Sequence, residues 1–541
     1  MKRIAAALLL FSTISYAQWE PNGIPVCDTS ANSGFYMLPQ IAAGGNGDVF
    51  TCWRDGRSGD FDIYVQHIYS DGTMQFPHNG ISICDAPYSQ QFPRIISDGR
   101  AGAYIAWEDD RAVTQTYIYV QRINSVGQAL WMINGVRAAE TGGLFISLAL
   151  NTDGGVLLGW STVENAFVQR LDSLGNRMWG DNGVQVTSRP GNVSAGNVSI
   201  TDDGDDGAIV AWSEGNVIYA QRIDSTGIVR WQTNGIPLSD STHSGGGVAL
   251  CSDLRDGVVI SWSEFRPTVP QDTANMFVQR VSPTGLTQWN PTGVYLGKVG
   301  AGGAFRNISD GIGGAFVGYW NRIQHVDSSG NPVWPAPGVS FTERQTGIAN
   351  SSQTRNSLLG IWNLWTQFTD QQTSIDIYAQ YIDGKGNRWW EPDGKPVCVV
   401  TNLQDYARVA ATNEGFAIVV WDDFRNGHSN VYAAQLDTNG VITSIPEGRG
   451  SVLPFVPTLD QNYPNPFNPE TTIAYFLPSS MHVKLSVFDL LGRELATLAD
   501  EDQLGGRHEV KFRGKNLGSG VYFYRLIAAS HILTGRMLVM R

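Results

Sequence analysis

Gly102-Ala-Tyr-Ile-Ala-Trp107-Glu-Asp-Asp-Arg111, followed by Tyr117-Ile-Tyr-Val-Gln-Arg-Ile-Asn124, Gly127, Trp131 and Asn134-Gly135, is one unit of a repeat that fills most of the 541-residue chain. It returns as Gly207-Ala-Ile-Val-Ala-Trp212, Ile218-Tyr-Ala-Gln-Arg-Ile-Asp224, Gly227, Trp231 and Asn234-Gly235. Two landmarks carry the register. An aromatic residue ending an apolar run recurs at Trp53, Trp107, Trp160, Trp212, Trp262, Tyr319, Trp362 and Trp421. A Gln inside an alternating strand recurs at Gln66, Gln121, Gln169, Gln221, Gln279, Gln324, Gln380 and Gln435. The spacing is about 50 residues, the period of stacked supersecondary units.

Each unit holds four strand-like segments joined by turns such as Ser97-Asp98-Gly99 and Ser125-Val-Gly127. Alternation marks strands with one buried face, and x-Gly pairs mark hairpin turns. Four antiparallel strands at this period are the signature of a β-propeller blade. The chain ends decide whether the array closes. The eighth unit lacks a Trp…Asn-Gly strand after Gln435, and that strand stands near the N-terminus as Trp19-Glu-Pro-Asn22-Gly23-Ile-Pro-Val-Cys27. One blade built from both ends leaves no incomplete unit and no exposed edge at a seam. The fold class expected is therefore all-β: an eight-bladed (possibly seven-bladed) β-propeller over 18–445, closed by the N-terminal strand.

Residues 1–17 carry Lys2, Arg3, a short apolar run and small residues at Ser15 and Ala17, the pattern of a secretory signal peptide. No other segment is long and apolar enough to span a bilayer. The formal net charge is −13, concentrated in the repeats. Such a field serves solubility and disfavours nucleic-acid backbones and anionic membrane surfaces, while tolerating cations or neutral glycans. The five cysteines predict buried thiols and not bridges. Cys27, Cys84 and Cys398 follow the Asn-Gly landmark at one register, where other units place small residues such as Ala139, Thr187 and Ser239. Most of the 17 Trp lie at or near the two landmarks, which predicts core wedges between blades before any ligand box.

Composition changes after Ile445. A Pro/Gly-rich linker, 446–458, leads into Gln461-Asn-Tyr-Pro-Asn-Pro-Phe-Asn-Pro469, Phe488-Asp-x-x-Gly492-Arg493, Gly506 with His508, and Ser519-Gly-Val-Tyr-Phe-Tyr-Arg525. Strand-length runs separated by turns predict a small immunoglobulin-like β-sandwich over 459–541, without a single Trp. This stretch resembles the C-terminal type A sorting domain of the type IX secretion system, related in fold to flagellar hook-capping domains. The resemblance implies a motif made of Asn462, Pro464, Asn465, Pro466, Phe467, Asn468, Pro469, Gly492, Arg493, Gly520 and Tyr522. It also implies periplasmic transit, recognition by an outer-membrane translocon, and release from or attachment to the outer cell surface.

The loop between strands two and three shares a rim with the blade-to-blade connections. Four copies carry Trp-x-acid-x-Arg: Asp55 with Arg57, Asp109 with Arg111, Glu264 with Arg266, and Asp423 with Arg425. These pairs are candidate ligand-binding residues for a sugar, a polyanion or a cation; the bland account is that Asp closes the turn and Arg pairs with it or stacks on an aromatic ring. Asp55-Gly-Arg-Ser-Gly-Asp60-Phe-Asp62 is the sole sequence hint of Ca²⁺, without the spacing of the helix-loop-helix calcium motif. No metal-spaced His/Cys set, nucleophile elbow or phosphate loop is present. The turn Ile223-Asp-Ser-Thr-Gly227-Ile-Val-Arg-Trp231 is similar to the blade motif of quinoprotein dehydrogenases, whose adjacent Cys-Cys pair is absent. No cofactor is expected. The expectation is a monomeric secreted or cell-surface module that binds extracellular glycan or protein; the alternative is a secreted hydrolase acting on polysaccharide from the same rim.

Overall fold

In a computed structural model, the strands follow from the alternation just described, and every regular element among the described residues is a strand. The structure describes residues 19–442 and 458–539, except 31–34, 46, 163, 190–192, 240–243, 266–273, 300–305, 345–346, 356–359, 369–373, 413–414, 460–461, 463–464, 466, 468, 478–480, 491, 504–505, 515–516 and 529–530. The expected signal peptide and most of the linker lie outside the described residues. The chain divides into two compact units, 1–445 and 446–541.

In the first unit the described residues form eight antiparallel sheets in chain order. Sheet 1 comprises Gln40–Ala43, Val49–Asp55, Asp62–Ile68 and Ile81–Cys84; sheet 2 comprises Gln90–Ser97, Ala103–Asp109, Tyr117–Ile123 and Val136–Arg137. Sheets 3 to 7 repeat the plan, with innermost strands Leu144–Leu150, Val193–Asp202, Ser244–Ser252, Arg306–Ser309 and Ile348–Arg355. Sheet 8 orders Gln404–Ala411, Ala417–Asp423 and Asn430–Asp437, then adds Ile24–Cys27 from the N-terminal segment. The pairing is Ile24 with Ala433, Pro25 with Tyr432 and Cys27 with Val431. Each innermost strand touches the next around the circle, and Gln404–Ala411 returns to Gln40–Ala43. The ring is closed, and the protein is a β-propeller. A short strand, Gly440–Ile442, also pairs with the far end of Asn430–Asp437, so the eighth unit keeps a stub of its own.

The landmarks hold the ring by distinct bonds. Gln121 accepts from the backbone N–H groups of Arg122 (2.9 Å) and Trp131 (3.1 Å) and donates to the Met132 carbonyl (2.8 Å), stapling strand three to the segment before strand four. Gln169, Gln221, Gln279 and Gln380 repeat the staple. The second Trp is the wedge. Trp231 donates its indole N–H to the Pro283 carbonyl of the following sheet at 3.0 Å, and its ring lies where a Cβ on Gly285 would stand. Gly285 has φ +83°, so glycine suits both the turn and the close approach. Trp19 closes the circle in the same way, fully buried and donating to Ser70 at 2.9 Å. One expectation is corrected. The seventh aromatic landmark is Trp365, not Trp362: Trp365 pairs with Tyr378 as Trp107 pairs with Tyr119, and Gly394 sits on its ring. Trp362 is three residues away and so on the opposite face, packed on Tyr381 and Trp390.

The second unit packs two sheets. One orders Thr458–Leu459, Glu470–Leu477 and Gly506–Arg513; the other orders Glu494–Gln503, Met481–Phe488, Gly520–Ala528 and His531–Val539. Between them lie Phe467, Ile473, Tyr475, Leu485, Tyr524 and Met537.

Candidate functional site

The acid–Arg pairs of the rim form closed clasps. Asp109 is fully buried at the end of strand two. It accepts the indole N–H of Trp107 (2.8 Å), Nε of Arg111 (2.8 Å), Nη2 of Arg111 (2.6 Å) and the Arg111 backbone N–H (3.0 Å). Arg111 lies over the Tyr119 ring at 3.9 Å, and its Nη2 also donates to the Asn134 carbonyl at 2.9 Å. Asp423 and Arg425 repeat this around Trp421, Tyr432 and the Asn22 carbonyl. Asp55 and Arg57 repeat it around Trp53, Tyr64 and the Asn79 carbonyl. Glu264 takes the indole N–H of Trp262 at 2.9 Å, while Arg266 lies outside the described residues. Every carboxylate of the set is buried and bonded.

The cysteine register is part of the same device. Cys27, Cys84 and Cys398 each come from the sheet preceding a clasp, with Sγ at 3.2, 3.2 and 3.3 Å from Nη2 of Arg57, Arg111 and Arg425. Burial, more than any other influence, pushes these three thiols up to about 12, so they stay protonated. All five cysteines are free.

A further clasp escaped the motif. Glu214 accepts from Trp212 (3.0 Å) and from Arg189 (3.1 Å), and Arg189 lies over Tyr219 at 3.7 Å. Arg189 arrives from the connection between sheets 3 and 4, so no fixed spacing announces it; the residual signal was Trp212-Ser-Glu214. Asp62, in the segment considered for Ca²⁺, takes the Ser58 hydroxyl, and among the described residues no three His, Cys, Asp or Glu are grouped to hold a metal ion.

The open chemistry lies at the channel mouth on this same rim, where the innermost strands begin. There the innermost strands of sheets 2, 3, 4, 5, 7 and 8 break register, three of them between Gln91 and Arg94, Leu144 and Ser147, and Asp405 and Arg408. In these last three breaks a bulky residue takes a left-handed backbone: Phe92 (φ 49°), Phe145 (φ 60°) and Tyr406 (φ 51°), with Leu38 (φ 54°) just before the innermost strand of sheet 1. Such conformations cost about 1–3 kcal/mol each and persist where the surroundings impose them, often at binding sites. Phe92 and Phe145 remain 42% and 43% exposed. Neighbouring rings extend the aromatic surface: Tyr36 meets Tyr406 edge-on at 4.8 Å, and Phe35, 58% exposed, meets Phe61 at 5.5 Å. Arg54 lies over Phe61 at 4.6 Å and Phe92 at 5.3 Å. Two residues beyond two of the bulges, Arg94 and Arg408 turn into the channel. Leu38, Phe92, Phe145 and Tyr406 each stand 15 residues before the aromatic landmark of their sheet, and Arg94 and Arg408 each stand 13 before theirs, but the residue type at these positions varies from unit to unit, so the sequence did not single them out.

In the second unit the expected motif residues organise the sandwich. Buried Asn462 donates its backbone N–H to the Tyr524 hydroxyl oxygen at 2.9 Å, and its side-chain amide donates to the Thr471 hydroxyl oxygen at 2.9 Å. Asn465 accepts from the Leu538 backbone at 2.8 Å, and the Phe467 N–H donates to the Leu538 carbonyl at 3.0 Å, pinning the last strand. Gly514 donates to the Pro469 carbonyl. Arg493 closes the Asp489–Gly492 turn on the Asp489 carboxylate, and the Tyr522 hydroxyl donates to Gly518. Gly520 opens the following strand. Pro464, Pro466 and Asn468 lie outside the described residues. The family model for the secretion system C-terminal sorting domain matches residues 461–540.

Residues 461–540 are a type IX secretion sorting domain. The sorting domain directs export of the chain to the cell surface or extracellular space. No helix of the described residues is long and apolar enough to cross a membrane. No curated protein matches the chain. Among solved structures it is similar to an α-L-arabinanase of Penicillium chrysogenum (9% identity over 65% of this chain and 94% of that one, TM-score 0.35). It is similar also to an endo-arabinase of Bacteroides thetaiotaomicron (12%, 58% and 98%, TM-score 0.30). A third is PorZ, a surface component of the type IX secretion system of Porphyromonas gingivalis (10%, 97% and 85%, TM-score 0.27).

Proposed function

We propose that the exported propeller is a binding module that takes extracellular glycan at the aromatic mouth of its channel. The observation that carries this reading is the division of labour on the rim: the acids of the recurring motif are buried and spent in clasps, while the groups held open at the channel mouth are aromatic rings and arginines. Exposed rings at fixed orientation suit the apolar faces of sugars, at low cost in side-chain entropy. A polysaccharide hydrolase acting from this rim needs two carboxylates roughly 5–10 Å apart and free to transfer protons or attack carbon. The clasp acids have their oxygens occupied by indole and guanidinium donors. In this reading the sorting domain hands the chain to an outer-membrane translocon, and the propeller acts after release or on the cell surface.

The test is a glycan array probed with the full chain, alongside a reducing-sugar assay on the polysaccharides retained. Binding that falls tenfold or more in Phe92→Ala and Phe145→Ala supports the proposal. Release of reducing ends, or retention that ignores both substitutions, overturns it.

A further inference from the structure

Three arginines meet in the middle of the ring. Arg94 comes from the innermost strand of sheet 2, Arg306 from that of sheet 6 and Arg408 from that of sheet 8. All three line one cavity of about 420 Å³ walled by innermost strands. They lie deep in the molecule yet keep open surface, because they face the channel and not packed protein. Among the described residues none of them forms an ion pair. Arg94 and Arg408 donate only to adjacent backbone carbonyls, Pro93 at 3.1 Å and Ala407 at 3.0 Å.

The acids within reach of their field are committed elsewhere. Glu108, near Arg94, accepts the Phe145 backbone N–H at 2.7 Å. Asp405, near Arg408, accepts from Asn350 (2.8 Å), the Tyr406 N–H (2.7 Å) and Thr366 (3.2 Å). Asp422 accepts from the Met37 and Leu38 N–H groups, both at 2.9 Å, and from Ser429 at 2.7 Å. Burial pushes Glu108 and Asp422 up to about 7, which thins the negative charge around the channel at neutral pH. Burial, then the charges of Arg306 and Arg94, push Arg408 down to about 10, so it remains a cation under the same conditions. Three like charges thus share a partly desolvated space with no carboxylate among the described residues in an ion pair with any of them, an arrangement that an entering anion would relieve.

We propose that the channel is an oxyanion site, where Arg94, Arg306 and Arg408 converge on a carboxylate or sulfate group carried by a saccharide entering at the aromatic mouth. The saccharide part rests on the glycan reading above; the oxyanion part rests on the arginines alone. Guanidinium forks match the planar or tetrahedral oxygens of these groups and bond them in pairs. The volume suits a small unit and lies within the usual range of ligand pockets. The overall charge of −13 works as a filter: the surface discourages broad polyanions, and attraction is confined to the channel.

Titration calorimetry on the full chain tests this, with sodium sulfate against sodium chloride at equal ionic strength, then trigalacturonate against galactotriose. Saturable heat is expected with sulfate and trigalacturonate. Arg94→Gln, Arg306→Gln and Arg408→Gln should each weaken binding about tenfold or more, as loss of a charge-assisted hydrogen bond does. Each variant should also melt at or above the parent protein in anion-free buffer, since a like charge has gone; this separates loss of the site from loss of the fold. Equal binding by parent and variants, or sulfate acting no differently from chloride, overturns the site. Sulfate bound through the arginines with no saccharide retained keeps the oxyanion site and overturns the glycan reading that supplied its source.

Discussion

Replacing Asp109 with Asn isolates what a rim clasp does. The substitution preserves shape but turns one acceptor oxygen into an amide donor. Four donors now point at that carboxylate from Trp107 and Arg111. After the change at least one of them faces another N–H, and the guanidinium loses its counter-charge. Breaking a buried pair from one side costs about 3–5 kcal/mol. Arg111 keeps 23% of its side chain open to water, so hydration recovers part of this, and a loss of about 2–4 kcal/mol is expected. In a unit this large that corresponds to a melting shift on the order of 5 °C, read by scanning calorimetry. Adding Arg111→Met should restore part of the loss, because the stranded cation is then gone. Glycan retention should follow the folded fraction and nothing else. A variant that melts within about 0.5 kcal/mol of the parent, or loses retention while melting normally, would show that the carboxylate serves a ligand, and the clasp reasoning would fail.

Other perturbations probe the remaining layers. Trp231→Ala removes a nearly buried wedge and its bond to Pro283, so a loss of about 3–5 kcal/mol is expected by calorimetry, with the amount of chain in the culture medium unchanged. Phe467→Ala empties the centre of the sorting domain and loosens the last strand; immunoblots should find the chain retained in cells, and undiminished export would contradict the role given to that domain. Stability should fall as pH rises. Glu108 and Asp422 hold protons up to about 7 in the fold but release them near 4 when unfolded, so their contribution is complete below that range and lost on passing through 7. Melting midpoints between pH 5 and 8 check this, and Asp422→Asn should flatten the slope.

The ring was readable because its determinants are side chains with obligatory partners at constant spacing. Gln121 must staple the following Trp, and Trp231 must find the next turn glycine, so both recur wherever the geometry recurs. The split blade was readable for the same reason: Trp19 carries the landmark that the unit after Gln435 lacks. Legibility ended where two residues compete for one role. Ile361-Trp-Asn-Leu-Trp365 offers two aromatic ends to one apolar run, and only pairing with Tyr378 selects the second. It ended again at Arg189, which reaches Glu214 from a connection of free length.

The channel arginines mark a deeper limit. Arg94, Arg306 and Arg408 stand in units two, six and eight, each 13 residues before the aromatic landmark of its unit (Trp107, Tyr319 and Trp421), but the other units fill that position with Gln40, Ser147, Ser199, Ala249 and Ser352, so no recurring residue type marks it. Closure of the ring brings their strands around one cavity and gives each the same surroundings. Net charge pointed the other way: a repeat region this acidic argues against anionic partners when charge is treated as a uniform field. A propeller is not uniform, because its channel is separated from the outer surface by the sheets, and a few unpaired cations there outweigh distant carboxylates in a low-dielectric space. Repeat positions that keep their residue type therefore report the scaffold, whereas positions whose type varies at a fixed register, those of Phe92, Phe145 and Tyr406 with the arginines behind them, report what the scaffold presents. The clasps belong to the first kind, which is why four copies of a promising motif describe how the rim is fastened, and the variable positions form the surface proposed to bind.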